Sequence, residues 1–431
     1  MKKIFLLFLL LTHFGWAQTP SVLHSNALTE AVPASVGISK DRLQRISGMI
    51  QEAVDKNTIP GAVAIIVKDG KIVYQEAFGY SDVQSNKKFK TDDIFRIASQ
   101  SKAITTTAAM MLWEEGKFQL DEPVSKYIPE FKNPVLLDRF FMRDSSYTTS
   151  PAGKEISIRH LMTHTSGLGY GVIDGDERFK AIYKKAGITD LFTTEPISIA
   201  ESVKKLAKLP LHHVPGEAYV YSEGLDVLGY LIEIWSGMSF DQFLATRVFK
   251  PLGMNDTYFY LPANKASRLV EVQTKNDQGK WQRFTDTFYD VNYPKTGAKT
   301  FFSGGAGLSS TVYDYATFLQ MYLNKGELNG QRLLSRKTVE FMLKNQIGDM
   351  MGGPMGDKGF GLGFAILKET GAAKGGLGSV GSFDWGGYFN TSYFADPVEN
   401  VIGIIMKQTQ RVGGDNTSGL FRQMVFQTID N

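Results

Sequence analysis

The sequence predicts an α/β (α+β) fold in which one antiparallel sheet, built from both chain ends and flanked by helices, carries an inserted, mainly helical domain. Three observations predict it. Residues 62–67 and 71–78 are β-rich runs around Lys68-Asp69-Gly70, a hairpin signal near the start of the chain. From Thr91 to about Lys250 apolar residues recur at helical spacing. Glycine-rich strand runs then occupy Gly359–Ile366, Leu377–Phe394 and Val401–Lys407, so strand character returns at the far end. The expected organisation is a sheet domain of residues 18–90 and 300–431 around a mainly helical domain of residues 91–299.

Taken in order, Lys2 and Lys3 precede the apolar run Ile4–Leu11, and Gly15 and Ala17 are small residues at −3 and −1. Residues 1–17 therefore read as a signal peptide cleaved before Gln18, which places the mature chain in a periplasm or outside the cell; a retained anchor is the alternative. No later apolar stretch is long enough to span a bilayer. Residues 21–38 read as a tether. Leu43, Ile46, Ile50 and Ala53 form a helical stripe that stops at Ile59-Pro60-Gly61, ahead of the hairpin. The helical block contains the turn Thr163–Gly169 and polar insertions around 132–155 and 171–195. After Gly304-Gly305-Ala306-Gly307-Leu308 a helix carries Tyr315, Phe318, Leu319 and Tyr322, and a last helix lies near Leu420–Ile429.

Composition narrows the chemistry. At 43% hydrophobic and 21% charged over 431 residues, the chain has the makings of a packed core. Its 47 Lys and Arg against 44 Asp and Glu give +3, which leaves no electrostatic footprint for nucleic acid. With no cysteine, disulfides, thiolate nucleophiles and Cys-ligated zinc are excluded, so any nucleophile is oxygen or nitrogen.

The Gly-x-Ser-x-Gly elbow is absent, and none of the six histidines (His13, His24, His160, His164, His212, His213) has a triad setting. A serine can instead use a lysine one helical turn away, and Ser99-Gln100-Ser101-Lys102 supplies that spacing. The same spacing recurs at Ser85 with Lys88 and at Ser202 with Lys205, but only Lys102 heads an apolar helix (Ala103, Ile104, Ala108, Ala109, Met110, Met111). A lysine there loses solvation, its pKa falls, and it can act as a base near neutral pH. The competing local reading is an N-cap serine with a lysine that reaches solvent.

His160 and His164 lie four apart but lack the intervening Glu of metalloproteases, so they read as structural and no metal is expected. His212-His213 reads as a loop pair close to Tyr221. Met350, Met351 and Met355 read as a Gly-rich surface loop or the flank of an entrance.

Five segments, Ile59-Pro60-Gly61-Ala62, Phe95 to Lys102, Leu120 to Val124, Ile156 to Leu168 and Gly304 to Leu308, follow one another in order. Together they resemble the serine β-lactamase-related superfamily, in the branch of class C β-lactamases, penicillin-binding-protein-like peptidases and family VIII carboxylesterases; the resemblance runs from about residue 40 to residue 410. It implies a β-lactamase/transpeptidase-like fold and a serine hydrolase working through an acyl-enzyme, without cofactor. Ser99 takes the role of nucleophile and Lys102 that of base. Tyr221, in Tyr221-Ser222-Glu223, takes the place of the proton-relaying tyrosine of the family's Tyr-x-Asn.

Two departures follow from that alignment. Glu223 replaces the Asn, and a carboxylate beside Lys102 would hold it charged; Glu223 pairs with Lys102 or another cation, or selects a substrate amine. Trp385-Gly386-Gly387 stands for the family's Lys-Thr-Gly or His-x-Gly and is expected to begin a strand run, with the N–H groups of Tyr388 and Ser99 forming an oxyanion hole. The literal Lys295-Thr296-Gly297 reads as a loop decoy. Tryptophan removes a carboxylate anchor, which favours small esters, or amides lacking a free carboxylate, and hence a carboxylesterase. The alternatives are a β-lactamase or D-alanyl-D-alanine peptidase acting on a cell-wall-like substrate with the same residues, and a catalytically weak envelope binding protein, motivated by Glu223.

Overall fold

The computed structural model describes residue 22, residues 24–285 and residues 287–430; the expected leader lies outside these. Along the chain, β1 (Thr29–Glu30) falls within the segment read as a tether. Helix α1 (Lys40–Asp55) starts at Ser39, whose hydroxyl accepts the Arg42 N–H, and buries Leu43, Ile46 and Ile50, the stripe expected from the sequence. Strands β2 (Gly61–Lys68) and β3 (Lys71–Asp82) form the hairpin, with Asp69 and Gly70 both at positive φ (53° and 72°), as a two-residue turn between twisted strands requires.

Helix α2 (Ser101–Glu114) is buried from Ser101 to Leu112, so it is a core helix rather than an amphipathic one. Residues 132–155, read as a polar insertion, contain the hairpin β4 (Val135–Phe141) and β5 (Ser146–Pro151), and residues 171–195 contain a helix, Glu177–Ala186. Helix α3 (Gly224–Ser236) packs on α2, and α4 (Val312–Leu323) packs under the sheet. The return strands are β6 (Lys358–Phe360), β7 (Ala365–Leu367), β8 (Phe383–Gly387), β9 (Thr391–Asp396) and β10 (Val401–Met406), before α5 (Thr417–Phe426).

The main sheet runs β1-β3-β2-β10-β9-β8-β7-β6, with the short strand Lys87–Lys88 pairing β3; the pairs are antiparallel except β1 with β3. Both chain ends meet where β2 pairs β10, from Lys68 opposite Val401 to Val63 opposite Met406. Strand alternation divides the core. Ala62, Ala64 and Ile66 face the layer of α1 and α5 with Ile46, Phe421 and Val425, whereas Val63, Ile65 and Val67 join α2, α3 and α4 in the larger core. A sheet covered on both faces explains why β2 and β10 read as continuous apolar runs. Among the described residues, no helix is long and apolar enough to cross a membrane.

Candidate active site

Ser99 lies in a single 3-10 turn, Ala98–Gln100, that feeds directly into α2. Side chains three apart eclipse one another in such a turn, which stacks Lys102 over Ser99. Ala98 has φ 43°, a left-handed conformation that costs a residue with a Cβ on the order of 1–3 kcal/mol. That strain sits immediately before the half-buried Ser99, on the wall of a cleft of about 530 Å³.

Lys102 is 2% exposed; its Nζ donates to the Gly305 carbonyl at 2.7 Å and lies 3.3 Å from Ser99 Oγ. The lysines of the other two Ser-x-x-Lys repeats, Lys88 and Lys205, are exposed, as expected. The Lys102 nitrogen also faces two aromatic rings, 4.5 Å from the centroid of Tyr221 and 5.5 Å from that of Tyr170. Tyr221 enters the cleft just ahead of α3, and its phenolic oxygen accepts the Trp385 indole N–H at 3.3 Å. Behind it His164, fully buried, accepts the Ser222 N–H at Nδ1 (3.2 Å) and packs its ring 4.5 Å from that of Tyr221. Burial, then the Lys102 charge, press His164 well below its ordinary pKa, so the ring is neutral.

Facing Ser99, Trp385, Gly386, Gly387 and Tyr388 line the opposite wall. Trp385-Gly386-Gly387 ends strand β8 rather than beginning a strand run; the chain turns at residues 388–390 and Thr391 opens β9 opposite Gly387. Gly387 is required there: a Cβ would sit 2.4 Å from the Ile97 carbonyl oxygen, so any side chain would separate the two walls. Lys295-Thr296-Gly297 is outside the main sheet; Tyr293–Thr296 is a short helix, and Lys295 pairs with Glu271 at 3.7 Å.

Glu223 departs from its expected partners. It stands at the N-terminus of α3 at 3% exposure, and among the described residues its Oε1 has no hydrogen-bond partner and no ion pair joins it to Lys102. Burial, reinforced by Asp190, lifts its pKa well above the ordinary 4.5, which favours the protonated, donor form over an acceptor-only carboxylate. Asp190 in turn accepts the Gly171 N–H at 3.3 Å and the Val172 N–H. The nearby Asp226 accepts the Gly305 N–H at 3.2 Å and thereby holds the loop whose carbonyl anchors Lys102.

The remaining histidines hold local structure. His160 Nδ1 accepts the Ser157 N–H within a helix cap, with burial taking its pKa down to about 4, and His212 meets Asp174 at 3.1 Å. Among the described residues no cluster suits a metal ion. Met355 lines the cleft and Met351 packs with Phe360 and Trp385, so the methionine cluster does flank the entrance.

Sequence reasoning missed three residues at the cleft's far end. Asp384 Oδ1 accepts Lys358 Nζ and its Oδ2 accepts Arg422 Nη1, each at 2.6 Å. Two cations share one carboxylate, so cationic groups do line the cleft although Trp385 supplies none. The only trace in the sequence is a charged residue inside each of three otherwise apolar or glycine-rich stretches.

The chain is similar to known proteins over most of its length. The chain is 31% identical to Protein Rv1367c of Mycobacterium tuberculosis over 372 residues, covering 83% of this chain and 88% of that protein. It is 29% identical to Esterase EstB of Burkholderia gladioli over 391 residues, 86% of this chain and 91% of the esterase. The solved structure of EstCE1, described as a hydrolase with promiscuous acyltransferase activity, superimposes with a TM-score of 0.76 at 26% identity over 90% of this chain and 99% of that one. A family description, Beta-lactamase, matches residues 46–423, which takes in the sheet, the buried Ser-x-x-Lys helix and the wall that faces it, and on that ground the chain belongs to the Beta-lactamase family.

Proposed function

We propose that this protein is a serine hydrolase that works through an acyl-enzyme, and that its substrates are small esters or amides without a free carboxylate. The observation that carries the reading is the buried Lys102 side-chain nitrogen 3.3 Å from Ser99 Oγ at the edge of an open cleft. Ser99 Oγ attacks the substrate carbonyl while its proton passes to Lys102 or Tyr221; the C–O bond to the leaving alcohol breaks and Tyr221 returns a proton to that oxygen. Water, deprotonated through Tyr221, then attacks the acyl-enzyme and releases acid and free Ser99. The tetrahedral oxyanion is held by the N–H groups of Ser99 and Tyr388.

Trp385 supports the ester preference: it presents an apolar wall and an N–H already engaged by Tyr221 where a cation and hydroxyl would hold a substrate acid. The neutral Glu223 supports turnover, since a protonated carboxyl leaves Lys102 without an ionic partner there. Lys358 and Arg422 favour a second reading, a β-lactamase or D-alanyl-D-alanine peptidase, because two cations on one carboxylate leave net positive charge for a substrate acid. We also propose the two-part organisation of residues 18–90 with 300–431 around residues 91–299, and export with removal of residues 1–17, which N-terminal sequencing of the mature protein from its host checks.

The deciding experiment sets a short-chain p-nitrophenyl ester beside a chromogenic cephalosporin, with residues 18–431 and the Ser99→Ala variant. Fast ester and slow lactam hydrolysis, both lost in Ser99→Ala, is expected. The reverse ratio supports the lactamase or peptidase reading, and equal inactivity of both proteins removes the serine assignment.

A further inference from the structure

Strand β10 ends at Met406, and the next four residues, Lys407-Gln408-Thr409-Gln410, are all polar and all buried, Lys407 and Gln408 at 0% exposure. Buried polar groups in succession need partners, and these find theirs on the two walls of the cleft. Gln408 holds the nucleophile wall: its Oε1 accepts the Arg96 N–H at 2.8 Å and its Nε2 donates to the Arg96 carbonyl at 3.3 Å, three residues before Ser99. The other three hold the opposite turn, Tyr388-Phe389-Asn390. Gln410 Nε2 donates to the Tyr388 carbonyl, the Thr409 N–H donates to the Phe389 carbonyl at 3.1 Å, and Thr409 Oγ1 accepts Asn390 Nδ2 at 2.9 Å.

Asn390 also donates from Nδ2 to Asp415 Oδ2 at 2.9 Å, and that carboxylate is fixed by Lys407 Nζ at 2.5 Å in an ion pair whose side chains are 0% and 4% exposed. Asn390 has φ 67°, the left-handed position that closes a three-residue hairpin loop, with its N–H bonded to the Gly387 carbonyl at 2.9 Å. The loop's shape is thus local, whereas its distance from Ser99 is set elsewhere. The backbone of the template is itself held by Gln273, whose N–H donates to the Gln408 carbonyl and whose carbonyl accepts the Gln410 N–H, at 2.9 and 3.0 Å.

We infer that residues 407–410 with Asp415 are a positioning template for the oxyanion hole: one buried polar segment grips both walls and sets the gap between the Ser99 and Tyr388 N–H groups. This rests on the reading of Tyr388 given above. None of these residues touches the reacting atoms, so each is a positioning residue. Its effect belongs to the transition state, where the oxyanion forms, and leaves ground-state binding alone.

Asn390→Gly tests it, because glycine accepts the left-handed φ and the buried Lys407–Asp415 pair stays intact. With p-nitrophenyl acetate, kcat is expected to fall about tenfold or more, as for a misplaced oxyanion donor, with KM within about twofold and the melting temperature nearly unchanged. Thr409→Val, which removes the hydroxyl at nearly constant volume, is expected to act in the same direction, and Thr409→Ser to restore kcat. Retention of wild-type kcat in Asn390→Gly and Thr409→Val while Ser99→Ala is inactive overturns the template and leaves the serine reading standing. A loss of kcat that merely follows a fall in melting temperature, and that Thr409→Ser does not restore, also overturns it. Hydrolysis that survives Ser99→Ala removes both readings together.

Discussion

The two walls of the cleft are built by opposite strategies. The Ser99 wall is made by neighbours in sequence: a 3-10 turn passes into a buried helix, and three residues of spacing stack Lys102 over Ser99. The Tyr388 wall is a hairpin end brought against Ile97 from almost three hundred positions away and tied down by Gln410, Thr409 and Asp415. One wall keeps its chemistry in side chains; the other offers backbone N–H groups. The contrast teaches that trimming a side chain of the first should remove reactivity with little change in stability, whereas a side chain forced between the walls at the second should alter geometry and packing together.

The largest expected effect is on the first wall. Ser99→Ala removes the proposed nucleophile from a half-buried position, and kcat on p-nitrophenyl acetate is expected to fall about a thousandfold or more while the melting curve barely moves. Lys102→Met keeps much of the buried stem's packing and removes the proposed base; a loss on the order of 100- to 1,000-fold in kcat is expected in the same assay. Equal activity in either variant would break the comparison at its base.

On the second wall, Gly387→Ala places a Cβ against the Ile97 carbonyl. Both activity and stability should suffer there, with kcat down about tenfold and unfolding easier by about 1–3 kcal/mol in urea titrations. An alanine that lowered activity without lowering stability would show that the walls do not differ as described.

The smallest effect on activity concerns Glu223, which is buried and does not line the cleft. Glu223 has a folded pKa raised above the ordinary 4.5 by burial and Asp190. Below that value both folded and unfolded chains hold the proton; above it the unfolded chain releases the proton and the folded chain keeps it, so this group's contribution to stability declines as pH rises. Glu223→Gln carries no such charge. Its unfolding free energy relative to wild type, from urea titrations, should rise as pH rises above the ordinary 4.5, by at most roughly 1.4 kcal/mol per pH unit. A flat difference across that range would place the Glu223 proton elsewhere.

Much of this was legible in advance because the relevant forces act over short sequence distances. The α1 stripe, the Asp69-Gly70 hairpin and the burial of Lys102 alone among the three Ser-x-x-Lys lysines all follow from periodicity and turn chemistry. What was misread lay in long-range pairing. Glu223 looked like a partner for Lys102, yet burial and Asp190, 33 positions upstream in the chain, raise its pKa. The segment around 132–155 was legible only as a polar insertion in a helical block, yet β4 and β5 pair across it. Trp385-Gly386-Gly387 was found as a motif, but its place at the end of β8 depended on β9. Lys358, Asp384 and Arg422 carry no mutual signal, since they lie in three separate elements.

The sequence by itself determined the residue types, the apolar periodicity and the Ser99–Lys102 spacing, because a helix or turn converts separation along the chain directly into separation in space. Only the tertiary structure decided that Glu223 is buried beside Asp190, which raises its pKa, that cations reach the cleft from β6 and α5, and that residues 407–410 grip both walls. Charge state depends on burial and on neighbours of every origin, and backbone N–H groups acquire direction only when distant strands pair; neither property is encoded at any single position.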